Sequence, residues 1–374
     1  MTVCLVLPFH AGAQYDRGVN HDRARALSEG GNRISATTSA NDPGGASSPA
    51  DPAGQSDRDV APDWLGAGEY SALAATSAAA IAAAAWAGRG DKDAADGAAT
   101  DAMRSALSSL PATAVVIIGE GEKDDAPMLY NGEEVGGGGA GGHRYHIAVD
   151  PLECTNFCAA GLPGALATIA FAEEDHMWSP GPAFYMDKLV VPPAARGAID
   201  IEEGPESNLR RVAEALGKPI EEMRVVILDK PRHEDLIEEL RGLGARVATP
   251  AEGDVAGSLE VLLPDGGADV CLGIGGTPEG IMTACAARSL GGGMQIRLAP
   301  QGDEEKEAVA EAGLDTEHVY NRDEIVSGDS LFVATGVTSG TLLRGPWRSG
   351  GAILTESIVI GAGRVQRVVE NTYS

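Results

Sequence analysis

Between residues 224 and 274 the chain alternates three short apolar runs with two helical stretches, and this alternation limits its architecture more than any other feature. The runs at 224–228, 246–249 and 269–274 read as strands, and the stretches near 234–243 and 254–263 read as helices. A βαβαβ string needs crossover connections, which set its strands parallel and cover both faces of the sheet. Residues 63–205 alternate less regularly. The segment 69–87 is alanine-rich and helical, held by Leu73, Ile81 and Trp86, while 113–118 and 166–172 read as strands. The chain is therefore predicted to be α/β, with one half at 63–205 and a second at 206–374.

Several strands run straight into acidic turns. Asp150-Pro151-Leu152-Glu153-Cys154-Thr155 follows the apolar Ile147-Ala148-Val149. Pro151 suits the first position of a helix, whose N-terminus aims N–H groups at an anion. Asp150 and Glu153 are hard oxygen donors of the kind that Mg²⁺ and Mn²⁺ take, and Thr155 with nearby amides would hold phosphate. Alone, the string is equally a plain helix start, because Asp and Thr are common at caps. A second cluster, Gly119-Glu120-Gly121-Glu122-Lys123-Asp124-Asp125, leaves the strand at 113–118. Carboxylates there are costly unless paired or bound to a cation. A third, Gly90-Asp91-Lys92-Asp93-Ala94-Ala95-Asp96, lies between two helical stretches, and Gly275-Gly276-Thr277-Pro278-Glu279 repeats the strand-to-helix turn in the second half. Ligands of open α/β sheets gather at such strand ends, so one metal site explains these acids better than separate solvated turns do.

The strings at 88–104, 119–136, 148–156 (AVDPLECTN), 228–233 (LDKPRH) and 273–280 (GIGGTPEG) resemble, in order and spacing, the class II fructose-1,6-bisphosphatases. These belong to the lithium-sensitive, metal-dependent sugar and inositol phosphatases. The likeness runs from about residue 63 to 374 and implies a layered α/β/α/β/α sandwich with the active site between the halves. It places the family's metal ligands on Asp96, Glu120, Asp150, Glu153 and Glu279, with Mn²⁺ or Mg²⁺ as cofactor. Substrate contacts fall on Glu153, Cys154, Thr155, Tyr185, Lys230, Arg232, Glu252, Gly253, Asp254 and Gly276. Thr155, Glu122 or Asp124, and Lys92 are expected to orient the attacking water, accept its proton and steady charge. Lys230 and Arg232 would grip the distal phosphate of a sugar bisphosphate, since guanidinium forks suit phosphate oxygens. Two positions depart from the pattern: the family's glycine is Cys154, and its D-G-D loop is Glu252-Gly253-Asp254. A Cβ at 154 opposes a positive φ or a close phosphate approach. Fructose-1,6-bisphosphate is the expected substrate. Sedoheptulose-1,7-bisphosphate, an inositol monophosphate and a catalytically impaired homologue stand as alternatives.

A formal charge of −27 argues against nucleic acid and anionic membrane as partners. The five cysteines form no C-x-x-C pair, which points to free thiols in a reducing cytoplasm. Cys154 and Cys158, four apart near a helix start, read as two ordinary small residues; the alternative is a shared helix face, where a helix N-terminus lowers a thiol's pKa and a redox brake follows. Residues 1–62 are rich in Ser, Gly, Pro and Asp and read as a disordered extension without a secretory signal. The resemblance further implies a homodimer or homotetramer.

Overall fold

The computed structural model describes residues 3–7, 63–119, 122–123, 126–127, 129–138 and 143–373. The strands that matter here are β1 (Val3–Leu7), β2 (Thr113–Ile118), β3 (Arg144–Glu153), β4 (Leu166–Glu173), β5 (Tyr185–Val191), β6 (Arg224–Val226), β7 (Arg246–Ala248), β8 (Val270–Gly276), β9 (Gly293–Leu298), β10 (Ser330–Gly336), β11 (Ala352–Gly361) and β12 (Arg364–Tyr373). The helices are α1 (Asp63–Ala84), α2 (Lys92–Leu107), α3 (Thr155–Ala160), α4 (Gly204–Leu216), α5 (Glu234–Gly242), α6 (Asp254–Leu262), α7 (Thr277–Leu290) and α8 (Asp303–Glu311). Apart from β1, the predicted N-terminal extension lies outside the described residues.

Two mixed sheets organise the fold. The larger runs β1-β12-β11-β10-β4-β3-β2 and ends on a short strand at Glu134–Val135. The smaller runs β7-β6-β8-β5-β9 and ends at Tyr320–Asn321. Strands β7, β6 and β8 are parallel, as the βαβαβ pattern requires, whereas β5 runs antiparallel to β8 and β9 antiparallel to β5. Helices α1 and α2 cover the outer face of the large sheet, and α6 and α7 fill the space between the sheets. Helices α4 and α5 close the far side of the small sheet over Leu209, Val212, Ile237 and Leu240. The result is the layered sandwich implied by the resemblance.

The packing of α1 differs from expectation in its detail. Leu73 is buried, but Ile81 and Trp86 are only partly so, and the tight face is made by Ala72, Ala75, Ala79, Ala80 and Ala83. A stripe of such small side chains lets the helix backbone lie close on the sheet, and its interior-facing polar groups are hydrogen-bonded within the helix or to the sheet. Thr76 Oγ1 donates to Ala72 O at 2.9 Å, and Ser77 Oγ donates to the Glu370 carboxylate at 2.8 Å.

The Asp150 turn is also built differently from a Pro-initiated helix. Pro151 stays within β3, whose pairing with β4 slips between Asp150 opposite Thr168 and Glu153 opposite Leu166. The Leu152 N–H donates to Asp150 Oδ1 at 3.0 Å, so the first carboxylate folds over the bulge. Cys154, at φ 65° and ψ 50°, then turns the chain, and α3 starts only at Thr155. A bulge re-aims side chains at a strand end. Here it leaves Asp150 and Glu153 on the same side of the chain.

Candidate active site

The elements converge on a cleft of about 350 Å³. The end of β3 contributes Asp150, Glu153, Cys154 and Thr155, and the loop after β6 contributes Lys230 and Arg232. The start of α6 adds Glu252, Gly253 and Asp254, and the turn from β8 into α7 adds Gly275, Gly276 and Glu279. Tyr185, at the head of β5, lies beside this wall: the Arg232 guanidinium carbon sits 5.3 Å from its ring centroid. Arg232 also donates to the Ile274 carbonyl through Nε at 3.2 Å and Nη2 at 2.8 Å. The guanidinium is thus pinned by a ring and a carbonyl at the edge of the cleft.

Ligand oxygens of Asp150, Glu153 and Glu279 lie within 4.8 Å of one another. Glu153 is buried and hydrogen-bonded to Asp150; burial drives its pKa up, and the neighbouring Asp254 adds to the rise. Glu279 is pushed up to about 8 by burial, then by the charges of Glu153 and Asp254. Oε2 of Glu279, Oδ2 of Asp254 and Oε2 of Glu252 are buried with no hydrogen-bond partner among the described residues. Three carboxylates crowded in this way repel one another unless protonated or bridged by a cation. An all-oxygen set of this kind fits a hard divalent cation. Asp96 sits half-buried on α2, which packs against α3 and β3, but its carboxylate is not one of the three gathered here. Lys92 is exposed at the start of the same helix. Glu120 and Asp124 lie outside the described residues, and Glu122 belongs to a two-residue strand, Glu122–Lys123.

The glycines of the β8 turn have a steric reason. A Cβ on Gly275 would stand 2.8 Å from Lys188 Nζ and collide with the Asp254 carboxylate; one on Gly276 would collide with Glu279. The backbone is therefore pressed against charged groups, which a side chain would displace.

Lys188 is the residue that sequence reasoning missed. It projects from β5, is 2% exposed, and forms an ion pair with Asp254. Burial alone would depress the ammonium, but the Asp254 carboxylate beside it, with more distant help from Glu279, holds it above the ordinary lysine range. The signal in the sequence is a single lysine inside the apolar run 185–191. Asn156 was missed as well; its Nδ2 donates to Glu252 Oε1 at 2.5 Å and ties α3 to the start of α6.

Cys154 occupies the left-handed conformation that glycine takes without strain, and its Sγ lies 3.7 Å from where a Cβ on Gly253 would stand. The alternative of a thiol activated by the helix terminus is not supported. Burial raises it strongly, and the carboxylates of Glu153, Glu252 and Asp150 raise it further. Nor does Cys158 share its surroundings: it is fully buried in α3, where its thiol contacts the Ala83 carbonyl at 3.6 Å. Cys154, Cys158, Cys271 and Cys285 are unpaired and buried. Among the described residues no helix is long and apolar enough to cross a membrane.

Comparison with known proteins agrees with this geometry. Residues 69–373 match the family model described as bacterial fructose-1,6-bisphosphatase, glpX-encoded. The class 2 fructose-1,6-bisphosphatase of Haemophilus influenzae is 43% identical over 313 residues, covering 80% of this chain and 93% of the relative. Fructose-1,6-bisphosphatase 1 class 2 of Escherichia coli K12 is 42% identical over 313 residues, with 80% and 92% covered.

Proposed function

This chain belongs to the glpX-type, class II fructose-1,6-bisphosphatase family, and from that premise and the site's geometry we propose that it hydrolyses fructose-1,6-bisphosphate to fructose 6-phosphate and phosphate. The observation that supports the reading is one cleft lined both by the oxygen cluster of Asp150, Glu153 and Glu279 and by the cationic side chains of Lys230 and Arg232. The first suits the reacting phosphate and its cation; the second suits the phosphate that is retained.

Asp150, Glu153 and Glu279 would hold Mn²⁺ or Mg²⁺, with Asp96 and Glu120 completing the set as the family pattern implies. A divalent ion at this place polarises phosphoryl oxygens and lowers the pKa of a bound water. Thr155 Oγ1 donates to the Leu152 carbonyl at 2.9 Å, which spends its proton and leaves its lone pairs to accept from the attacking water. Glu122 or Asp124 takes the proton, and Lys92 steadies the charge that develops. Phosphoryl transfer asks for placement and charge stabilisation rather than a covalent step. Lys230 and Arg232 neutralise the distal phosphate in a chain that is otherwise strongly acidic. The proposal extends to a cytoplasmic homodimer or homotetramer, which sedimentation of the purified protein tests.

Phosphate release from fructose-1,6-bisphosphate, sedoheptulose-1,7-bisphosphate and inositol 1-phosphate separates the readings. The proposal expects the first to be turned over with the highest kcat/KM. A preference for the inositol monophosphate would remove the need for a distal clamp and overturn it.

A further inference from the structure

We propose that Glu305, on α8 and outside the cleft, is a positioning residue for the distal-phosphate clamp. The inference rests on Lys230 and Arg232 serving as that clamp. Glu305 is buried, and its carboxylate accepts three backbone N–H groups: Oε1 takes those of Phe184 at 2.6 Å and Tyr185 at 2.9 Å, and Oε2 takes that of Gln301 at 2.8 Å. Amides bonded to a carboxylate are held more firmly than amides bonded to a neutral acceptor. The acceptor thus adds to the hold on the first residue of β5, where the strand begins.

The consequence runs through Tyr185. Its carbonyl accepts the Ala299 N–H at 3.0 Å, and it pairs with Gly276 across β8. With the backbone held on both sides, the ring is set where the Arg232 guanidinium stacks on it, while Ile274 anchors that guanidinium from the other side. A cation held over an aromatic face loses little further freedom when an anion arrives, so the clamp is preorganised. Glu305 supplies this order from a helix whose opening residues, Asp303-Glu304-Glu305-Lys306-Glu307, otherwise look like a solvated acidic face.

One competing route exists in the same structure. The Phe184 carbonyl accepts the Thr277 N–H at 2.9 Å, at the start of α7, which carries Glu279. A residue acting by that route would disturb the metal cluster instead of the clamp. Binding of fructose 6-phosphate, which bears only the retained phosphate, distinguishes the two.

The test uses the full-length, Mn²⁺-loaded protein and compares Glu305→Ala, Glu305→Gln and Arg232→Ala, alone and combined. Expected for Glu305→Ala is a rise of about tenfold in KM for the bisphosphate and in the Kd of fructose 6-phosphate. Its kcat stays within about twofold and its Mn²⁺ titration is unchanged, since the differential binding lost is in the clamp. Glu305→Gln retains an acceptor for Phe184 and Tyr185 and is expected to recover part of the loss; it carries the comparison if the alanine variant does not fold. Adding Arg232→Ala to either is expected to cost no more than Arg232→Ala alone. If Arg232→Ala weakens fructose 6-phosphate but neither Glu305 variant does, the inference is overturned and the clamp stands. If the Glu305 variants lower kcat or weaken Mn²⁺, Glu305 acts through α7 and the inference is equally overturned. If Arg232→Ala itself changes nothing, the clamp reading fails, and the inference with it.

Discussion

Replacing Cys154 with glycine sets three free-energy terms against one another, and each can be read from the structure. At φ 65° the cysteine holds a left-handed conformation that costs an L-residue about 1–2 kcal/mol, and glycine removes that cost. Against this, the side chain is 8% exposed, so its removal forfeits the burial of roughly one CH₂ and a sulfur, on the order of 1–2 kcal/mol. Glycine also loosens the unfolded chain by about 0.4–1 kcal/mol. The terms nearly cancel, leaving a destabilisation of about 0–1 kcal/mol and a Tm within about 3 °C of the parent. Activity is expected to move more than stability. The thiol stands at the start of α3, 3.7 Å from a Cβ position on Gly253, in space that a phosphate needs if it is to meet the backbone. Cys154→Gly should therefore raise kcat/KM for the bisphosphate, mainly through KM, by about three- to tenfold. Calorimetric melting and a phosphate-release assay on the same preparations check both halves. A Tm lowered by more than about 8 °C with kcat/KM unchanged would refute the reasoning, because the thiol would then be a packing element outside the phosphate path.

Three further outcomes follow from the same coordinates. Lys188→Met leaves the Asp254 carboxylate buried without its cation, which typically costs about 3–5 kcal/mol; a lowered Tm in thermal melts is expected, partly restored when Asp254→Asn is added. His233 sits buried with Nδ1–H donating to the Leu228 carbonyl at 2.8 Å and Nε2 accepting the Ile274 N–H at 2.8 Å, and burial holds its pKa below the ordinary histidine value. Its folded pKa is below its unfolded one, so its contribution to stability is complete above about pH 6.5 and is lost as pH falls below that. His233→Gln should flatten the decline of Tm between about pH 7 and 5, and an unchanged slope would contradict the assignment. Peroxide followed by dithiothreitol should leave activity unaltered, because Cys154, Cys158, Cys271 and Cys285 are buried and their pKa values are raised by burial. Inactivation that dithiothreitol reverses would show that one of the thiols is reachable.

The parallel strands of the small sheet were legible because the runs at 224–228, 246–249 and 269–274 each end in a turn that leads to a helix, and such a rhythm has few foldings. The acidic string at 150–155 likewise pointed to the cleft, and the structure brings Asp150, Glu153 and Glu279 together although the first and the last are 129 positions apart. Other features depend on register and packing, which local spacing does not encode. Pro151 looked like a helix opener, but strand pairing holds it extended, and the turn is made by the left-handed Cys154. Glu305 carries no local mark, and Lys188 only that of a lysine in an otherwise apolar run: Lys188 becomes a buried counter-charge only when β5 lies beside β8 and α6, and Glu305 meets the Phe184 and Tyr185 amides only when α8 reaches the head of β5. The antiparallel insertion of β5 beside β8 is invisible to a reading that pairs consecutive βαβ strands.

The central claim is that the carboxylates of Asp150, Glu153 and Glu279 hold a cation without which the bisphosphate is not cleaved. Phosphate release from fructose-1,6-bisphosphate by chelator-stripped protein, before and after Mn²⁺ or Mg²⁺ is restored, tests it most directly. The expected result is negligible release without the cation, full release on its return, and none in Glu279→Gln at the same concentration. Release that persists in the stripped protein, or that Glu279→Gln leaves intact, would contradict it.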